Sequence, residues 1–91
     1  MVKKYYIKSV ETKASGYLKM DIQRLITMAN QIGDFYESYP DPAQAEQGIA
    51  EHINRFWALA MRQQIAQHVG QQAGVGLHVP VQKAIVAHLK I

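Results

Sequence analysis

The chain has 91 residues, of which 48% are hydrophobic and 19% charged, and it contains no cysteine. This length accommodates one small domain, and the lack of cysteine excludes disulfides, thiolate metal sites, iron–sulfur ligation and a thiol nucleophile. The longest unbroken apolar run, residues 56–61, is far shorter than the ~20 residues needed to cross a bilayer. Residues 1–20 lack the apolar region of a signal peptide, so we expect a cytoplasmic protein that does not enter a membrane.

The positive charge of the chain is concentrated at its N-terminus. The formal net charge is +3, and five of the ten basic residues lie within residues 1–20 together with a single acidic residue. The apolar residues there have strand-forming side chains without a helical period, and the chain offers no second strand to pair with them. We therefore predict an extended basic arm, residues 1–20, ahead of a nearly neutral helical domain, residues 21–91. A neutral domain with a basic arm is a weaker candidate for nucleic-acid binding than a basic domain.

The first helical pattern begins at Asp21, a favourable N-cap. Apolar residues then recur with the spacing of one helix face: Ile22, Leu25, Ile26, Ala29, Ile32, Phe35, Tyr36 and Tyr39. Pro40 and Pro42 end the pattern, because proline lacks the backbone N–H and disfavours helical geometry in the preceding residue. We predict a helix over residues 21–38. Asn30 is a polar residue within it, and a buried amide there would need partners from a neighbouring helix or subunit.

The second helical pattern begins at Asp41-Pro42, an N-cap followed by proline at the first helical position. Its apolar stripe continues past Trp57 to Gly70 without a helix breaker. The sequence permits one long helix over residues 42–69 or two helices with a bend near Ala58. We favour the bend, because a straight helix of ~28 residues would be ~42 Å long and would extend beyond its neighbours.

The C-terminal part of the chain is predicted to hold a loop and one more helix. Gly74 and Gly76 mark a loop over residues 71–78, and Pro80 begins a helix over residues 80–89. The sequence shows no internal repeat and no low-complexity tract. The fold prediction is therefore all-α: a small bundle of three to four helices with an extended N-terminal arm.

No catalytic or metal-binding arrangement is evident in the sequence. The four histidines, His52, His68, His78 and His88, have neither the i, i+4 spacing of a zinc motif nor cysteine partners. No serine occurs in a nucleophile elbow, and the glycines of residues 74–76 lack the strand and lysine of a phosphate-binding loop. We expect no catalytic residue, no metal and no cofactor in this chain, and structural roles for the histidines.

Aromatic residues concentrate at the end of the first helix and in the middle of the following segment. Phe56 and Trp57 are adjacent and point ~100° apart on a helix, so one can face the core while the other faces solvent. Core packing is one reading of such residues. Anchoring of a partner is the other, because Trp, Tyr and Arg are enriched at binding hot spots. The residues that we predict for partner binding are Asn30, Arg55, Phe56, Trp57, Met61 and Arg62.

Several sequence blocks, taken together and in this order, resemble a known family. They are Met28-Ala29-Asn30-Gln31-Ile32, His52-Ile53-Asn54-Arg55-Phe56-Trp57, Met61-Arg62 and Gly76-Leu77. Over residues 21–89 the chain resembles the delta subunit of the soluble NAD-dependent formate dehydrogenase. It departs from the family pattern at Ala58-Leu59-Ala60, where the family has Asp-Pro-Arg. The cap and the break that the family places after Trp57 are therefore lost.

The resemblance implies a non-catalytic accessory subunit of a cytoplasmic molybdenum enzyme that oxidises formate and passes electrons to NAD. It implies docking on the large catalytic subunit and support for holoenzyme assembly or stability. The molybdenum cofactor, iron–sulfur clusters, FMN and NAD would belong to the partner subunits. The residues alone leave two alternatives, a helical module that binds nucleic acid through residues 1–20 and a homo-oligomer that buries its own aromatic face.

Overall fold

The computed structural model describes residues 20–91, so the predicted basic arm lies outside the described residues apart from Met20. Within the described part the chain forms four helices and no strand: α1 (Ile22–Tyr36), α2 (Pro42–Phe56), α3 (Leu59–Gln72) and α4 (Val79–His88). The all-α prediction is confirmed, and the helix boundaries lie close to those predicted. None of these helices is both long and apolar enough to cross a membrane.

Aspartates cap the first two helices at the positions that the sequence indicates. The carboxylate of Asp21 accepts a hydrogen bond from the backbone N–H of Gln23 at 3.1 Å, and that of Asp41 accepts one from Ala43 at 3.0 Å. Each bond satisfies an N–H group that the start of a helix leaves without an intrahelical partner. The two helix starts are therefore fixed by local sequence.

The break between α2 and α3 lies at Trp57 and Ala58. Both residues leave the helical region, with ψ angles of 138° and 152°. Ala58 makes no side-chain cap bond to α3, so tertiary contacts hold the break. The indole of Trp57 is 5% exposed in the core, and Nη1 of Arg62 donates to the carbonyl oxygen of Trp57 at 2.6 Å. The loss of the Asp-Pro pair therefore does not make α2 and α3 continuous.

The helices enclose one apolar core. The largest fully buried side chains come from all four helices: Leu25, Ile49, Ile53, Ile65 and Val81. No polar or charged side chain is buried among the described residues. The core therefore stabilises the fold through apolar burial and close packing.

Contacts between the ends of the helices show how the helices run relative to one another. Tyr36, at the end of α1, packs on Gly48 in the first half of α2, whereas Met28 shares a groove with Trp57 beyond the end of α2. Asn54, near the end of α2, hydrogen-bonds the end of α4. Thus α2 is antiparallel to α1 and parallel to α4. One end of the bundle combines the end of α1 with the starts of α2 and α4.

Two helical glycines have opposite surroundings and provide a test of the packing. A Cβ at Gly33 would lie 2.6 Å from Cγ2 of the fully buried Val81, whereas a Cβ at Gly70 would have no neighbour within 4 Å. We expect Gly33→Ala to lower the free energy of unfolding by about 1–2 kcal/mol, because overpacking outweighs the gain in helix propensity. Gly70→Ala should raise it by about 0.5–1 kcal/mol. Urea unfolding followed by circular dichroism measures both, and stabilisation by Gly33→Ala would contradict the close approach of α1 to α4.

Candidate docking surface

Trp57, one of the six residues predicted to bind a partner, lies in the hydrophobic core. Its side chain is 5% exposed, which matches the core-packing alternative for this residue. Phe56, the preceding residue, is 68% exposed. Of the two adjacent aromatic residues, Phe56 is therefore the one available to a partner.

Asn30 holds the loop between α3 and α4. Its Nδ2 donates to the carbonyl oxygen of Gly76 at 2.9 Å, and its Oδ1 accepts from the backbone N–H of His78 at 2.9 Å. Gly76 has a φ of 93°, a conformation that glycine adopts far more readily than other residues. Both halves of the amide are thus engaged within the chain, where they fix the loop against α1.

Arg62 joins the end of α2 to the C-terminal tail. Its guanidinium donates to the carbonyl oxygens of Lys90 at 2.8 Å, Trp57 at 2.6 Å and Asn54 at 3.4 Å. The amide of Asn54 holds the same tail, accepting from the N–H of Lys90 at 2.8 Å and donating to the carbonyl of His88 at 3.1 Å. The guanidinium of Arg62, which extends from the first turn of α3, therefore lies at the C-terminus of α2, where a cation and additional donors are favourable. Its Nε and Nη1 groups are engaged within the chain.

An apolar groove of about 490 Å³ lies between α1 and α2. It is lined by Met28, Gln31, Ile32, Phe35, Tyr36, His52 and Trp57. The ring of Phe56 extends this lining, because it packs on the ring of His52 with 4.9 Å between centroids. We name these eight residues the aromatic groove.

Two phenylalanines at the aromatic groove are largely exposed, Phe35 by 71% and Phe56 by 68%. Exposed apolar side chains grouped around a recess are typical of interaction surfaces. Arg55, which precedes Phe56, is also exposed, and Met61 is partly buried against the core. Of the predicted residues, Phe56 and Arg55 are therefore on the surface, whereas Asn30, Trp57 and Arg62 make contacts that hold the fold.

Phe35 belongs to the predicted apolar face of the first helix, whereas Met28 belongs to no predicted site. The structure places both residues at the aromatic groove. At 100° per residue they lie roughly 60–80° from the fully buried Leu25 around α1. They form one edge of an apolar stripe that is wider than the core contact of the helix. The width of this stripe is the sequence signal that could have identified them.

A second recess, of about 470 Å³, lies where the end of α1 meets the starts of α2 and α4. Tyr36 lines both recesses, and its ring fills the space left by the missing side chain of Gly48. The ring also makes edge contacts with Phe35 and Tyr39, at centroid distances of 5.1 and 5.0 Å. Three carboxylates line the second recess, which we name the acidic cleft: Asp34, Glu37 and Glu46.

Two histidines of the described region lie close to oxygen atoms of the chain. Nε2 of His68 lies 2.8 Å from the carbonyl oxygen of Val75. Nδ1 of His78 lies 3.5 Å from the carboxylate of Asp34. Within residues 20–91 no three His, Cys, Asp or Glu residues are grouped so that they could hold a metal ion.

Comparison with models of known protein families shows to which family the chain belongs. A family model described as NADH-dependant formate dehydrogenase delta subunit FdsD matches residues 24–85. The chain belongs to this family. The resemblance read from the sequence blocks is therefore confirmed, and the FdsD name implies association with other formate dehydrogenase subunits. Neither a curated protein nor a solved structure matches the chain.

Several residues of the blocks that carry the FdsD resemblance hold the bundle together. Asn30 fixes the loop, Trp57 fills the core, and Asn54 and Arg62 hold the tail. The aromatic groove lies within the matched region as well, since its lining residues fall between residues 28 and 57. The FdsD match thus covers both the framework of the domain and the aromatic groove.

Proposed function

We propose that this FdsD chain is a non-catalytic accessory subunit that docks on the catalytic subunit of formate dehydrogenase through the aromatic groove. In this role it supports the assembly or stability of the cytoplasmic holoenzyme. The observation that carries the proposal is the exposure of Phe35 and Phe56 beside one apolar groove in a chain of the delta-subunit family.

The aromatic groove has the properties of a protein-binding site. Its volume of about 490 Å³ can take an apolar segment of a partner. Phe35 and Phe56 offer large apolar areas, and each has only two side-chain torsions to immobilise on binding. Covering them removes apolar surface from water, which favours association.

The non-catalytic role agrees with the chemistry of the chain. With no cysteine, it supplies no thiolate ligand for an iron–sulfur cluster and no thiol nucleophile. The molybdenum cofactor, iron–sulfur clusters, FMN and NAD are accordingly assigned to the partner subunits. Residues 21–91 carry five basic and six acidic side chains, so this part of the chain does not favour the nucleic-acid alternative.

The combined substitution Phe35→Ala and Phe56→Ala tests the proposed docking. We expect it to weaken binding to the purified catalytic subunit roughly 10- to 30-fold, because two aromatic anchors of the interface are lost. Both side chains are largely exposed, so the unfolding midpoint of the variant should stay close to that of the original chain. Biolayer interferometry with the immobilised catalytic subunit gives the affinity, and circular dichroism gives the unfolding midpoint.

Val86→Ala is the matched control for this experiment. Val86 is 73% exposed on α4 and does not line the aromatic groove, so its truncation should leave the affinity unchanged. Equal affinity of the double variant and the original chain would reject the aromatic groove as the docking site. Loss of a dimer of this chain, with unchanged binding to the catalytic subunit, would assign the groove to self-association.

A further inference from the structure

The acidic cleft combines an apolar floor with a negatively charged rim. Its open apolar floor is formed by Pro42, Val79 and Pro80, which lie over the fully buried Ile49 and Val81. The aromatic side chains of Tyr36 and Tyr39 contribute to its wall. The lining also carries three carboxylates, one lysine, Lys83, and one histidine, His78. The cleft therefore offers apolar contact inside and an excess of negative charge at its edge.

The negative charge at the rim is largely uncompensated within the described residues. Among residues 20–91, a single basic side chain lies within 4.0 Å of a carboxylate: Nδ1 of His78 lies 3.5 Å from Asp34. Glu37 and Glu46 have no Lys, Arg or His partner in this part of the chain. A cation brought to the cleft would therefore meet two carboxylates that have no ion-pair partner within residues 20–91.

The carboxylates at the end of α1 also destabilise this helix. Asp34 is in its last turn, Glu37 is its C-cap residue, and the last turn contains no basic residue. The C-terminus of a helix carries partial negative charge, so carboxylates there are unfavourable. Like charges three residues apart repel each other as well. A cation placed between these side chains would offset both effects.

We propose that the acidic cleft receives a lysine or arginine side chain from a basic segment of the catalytic subunit. The inference rests on the proposed function, because it adds a second contact to the same docking. The aliphatic stem of the incoming side chain packs on the floor of the cleft. Its charged head meets the carboxylates and the rings of Tyr36 and Tyr39. The volume of about 470 Å³ accommodates one such side chain.

The position of the cleft supports the same partner as the aromatic groove. Tyr36 lines both recesses, so a single partner surface can cover them together. The groove then supplies the apolar part of the contact and the cleft the charged part. Charged contacts at the edge of an interface chiefly set orientation, association rate and salt dependence.

Neutralising the rim without changing its shape tests the inference. The double variant Glu37→Gln and Glu46→Gln should bind the purified catalytic subunit roughly tenfold more weakly at low salt. Its affinity should also depend less steeply on salt, because fewer charge pairs are screened. Glu51→Gln is the matched control, since Glu51 is an exposed carboxylate of α2 outside the cleft. This control should retain the affinity and the salt dependence of the original chain.

The outcomes separate this inference from the proposed function. If the original chain does not bind the catalytic subunit at all, both fail. If it binds, and the Glu37→Gln and Glu46→Gln variant has the same affinity and salt dependence, only the inference about the cleft is overturned. The carboxylates would then be solvent-facing charges near the starts of α2 and α4.

Crosslinking identifies the occupant directly. Tyr39→p-benzoylphenylalanine places a photoreactive group in the wall of the cleft. In the assembled complex, we expect it to label a peptide of the catalytic subunit that contains lysine or arginine. Labelling of residues 1–20 of the same chain, or of a second copy, would overturn the inference.

Discussion

Replacing Trp57 with alanine should lower the free energy of unfolding by about 3–5 kcal/mol, the cost typical of removing a buried tryptophan. The indole is 5% exposed and belongs to the core cluster. It also lies at the break between α2 and α3, so the cavity would loosen two helices at once. Because a domain of this size has a small stability margin, we expect a much lower urea midpoint or loss of the cooperative transition.

Phe56→Ala is the control for this prediction, because the two residues are adjacent and both are aromatic. The Phe56 side chain is 68% exposed, so its truncation should change the free energy of unfolding by less than about 0.5 kcal/mol. Urea unfolding of both variants, followed by far-UV circular dichroism, makes the comparison. Similar losses of stability would contradict the assignment of Trp57 to the core and Phe56 to the surface.

The difference between these residues determines how interface experiments should be interpreted. Trp57→Ala combined with Arg62→Ala would remove a core side chain and the donors that hold the C-terminal tail. Loss of complex in that variant would therefore report unfolding as well as any change at an interface. Phe35 and Phe56 avoid this ambiguity, because their exposure separates binding from folding.

Local sequence signals are sufficient to predict the helical segments, but not the division of residues 42–69 into two helices. Asp21 and Asp41 accept hydrogen bonds from backbone N–H groups two residues further along the chain. Pro40 ends the first helical pattern because its ring cannot be accommodated within a helix. The break at Ala58 has no such local signal, since Ala58-Leu59-Ala60 has high helix propensity. The break is held by the burial of Trp57 and by the hydrogen bond from Arg62 to the Trp57 carbonyl oxygen. Only the expected length of a continuous helix favoured a break.

The candidate site was less predictable, because it depends on how the helices pack. The adjacency of Phe56 and Trp57 indicated that one could face outward, and only the packing of α2 shows which one does. The partners of Asn30 and Arg62 lie 46 and 28 residues away along the chain. No local pattern indicates bonds over such separations, so the sequence could not predict the partners of these two side chains.

Replacing Arg62 with methionine should lower the free energy of unfolding by about 2–3 kcal/mol. Methionine keeps much of the apolar stem but removes the donors to the carbonyl oxygens of Trp57, Asn54 and Lys90. Hydrogen bonds from a charged group contribute about 1.5–3 kcal/mol, and the cation also opposes the negative C-terminus of α2. Urea unfolding gives the loss, and hydrogen exchange should show faster opening at the C-terminal tail.

Two further variants separate the geometry of Arg62 from its charge. Arg62→Lys keeps the cation but loses the planar fork that reaches several carbonyls, so we expect a smaller but measurable loss of stability. Arg55→Met removes an exposed arginine of α2, and stability should change by less than about 0.5 kcal/mol. If Arg62→Met instead kept full stability and lost only binding to the catalytic subunit, the guanidinium would serve the partner rather than the tail. Unchanged exchange at residues 89–91 would support that reading, because the tail would then be held without Arg62.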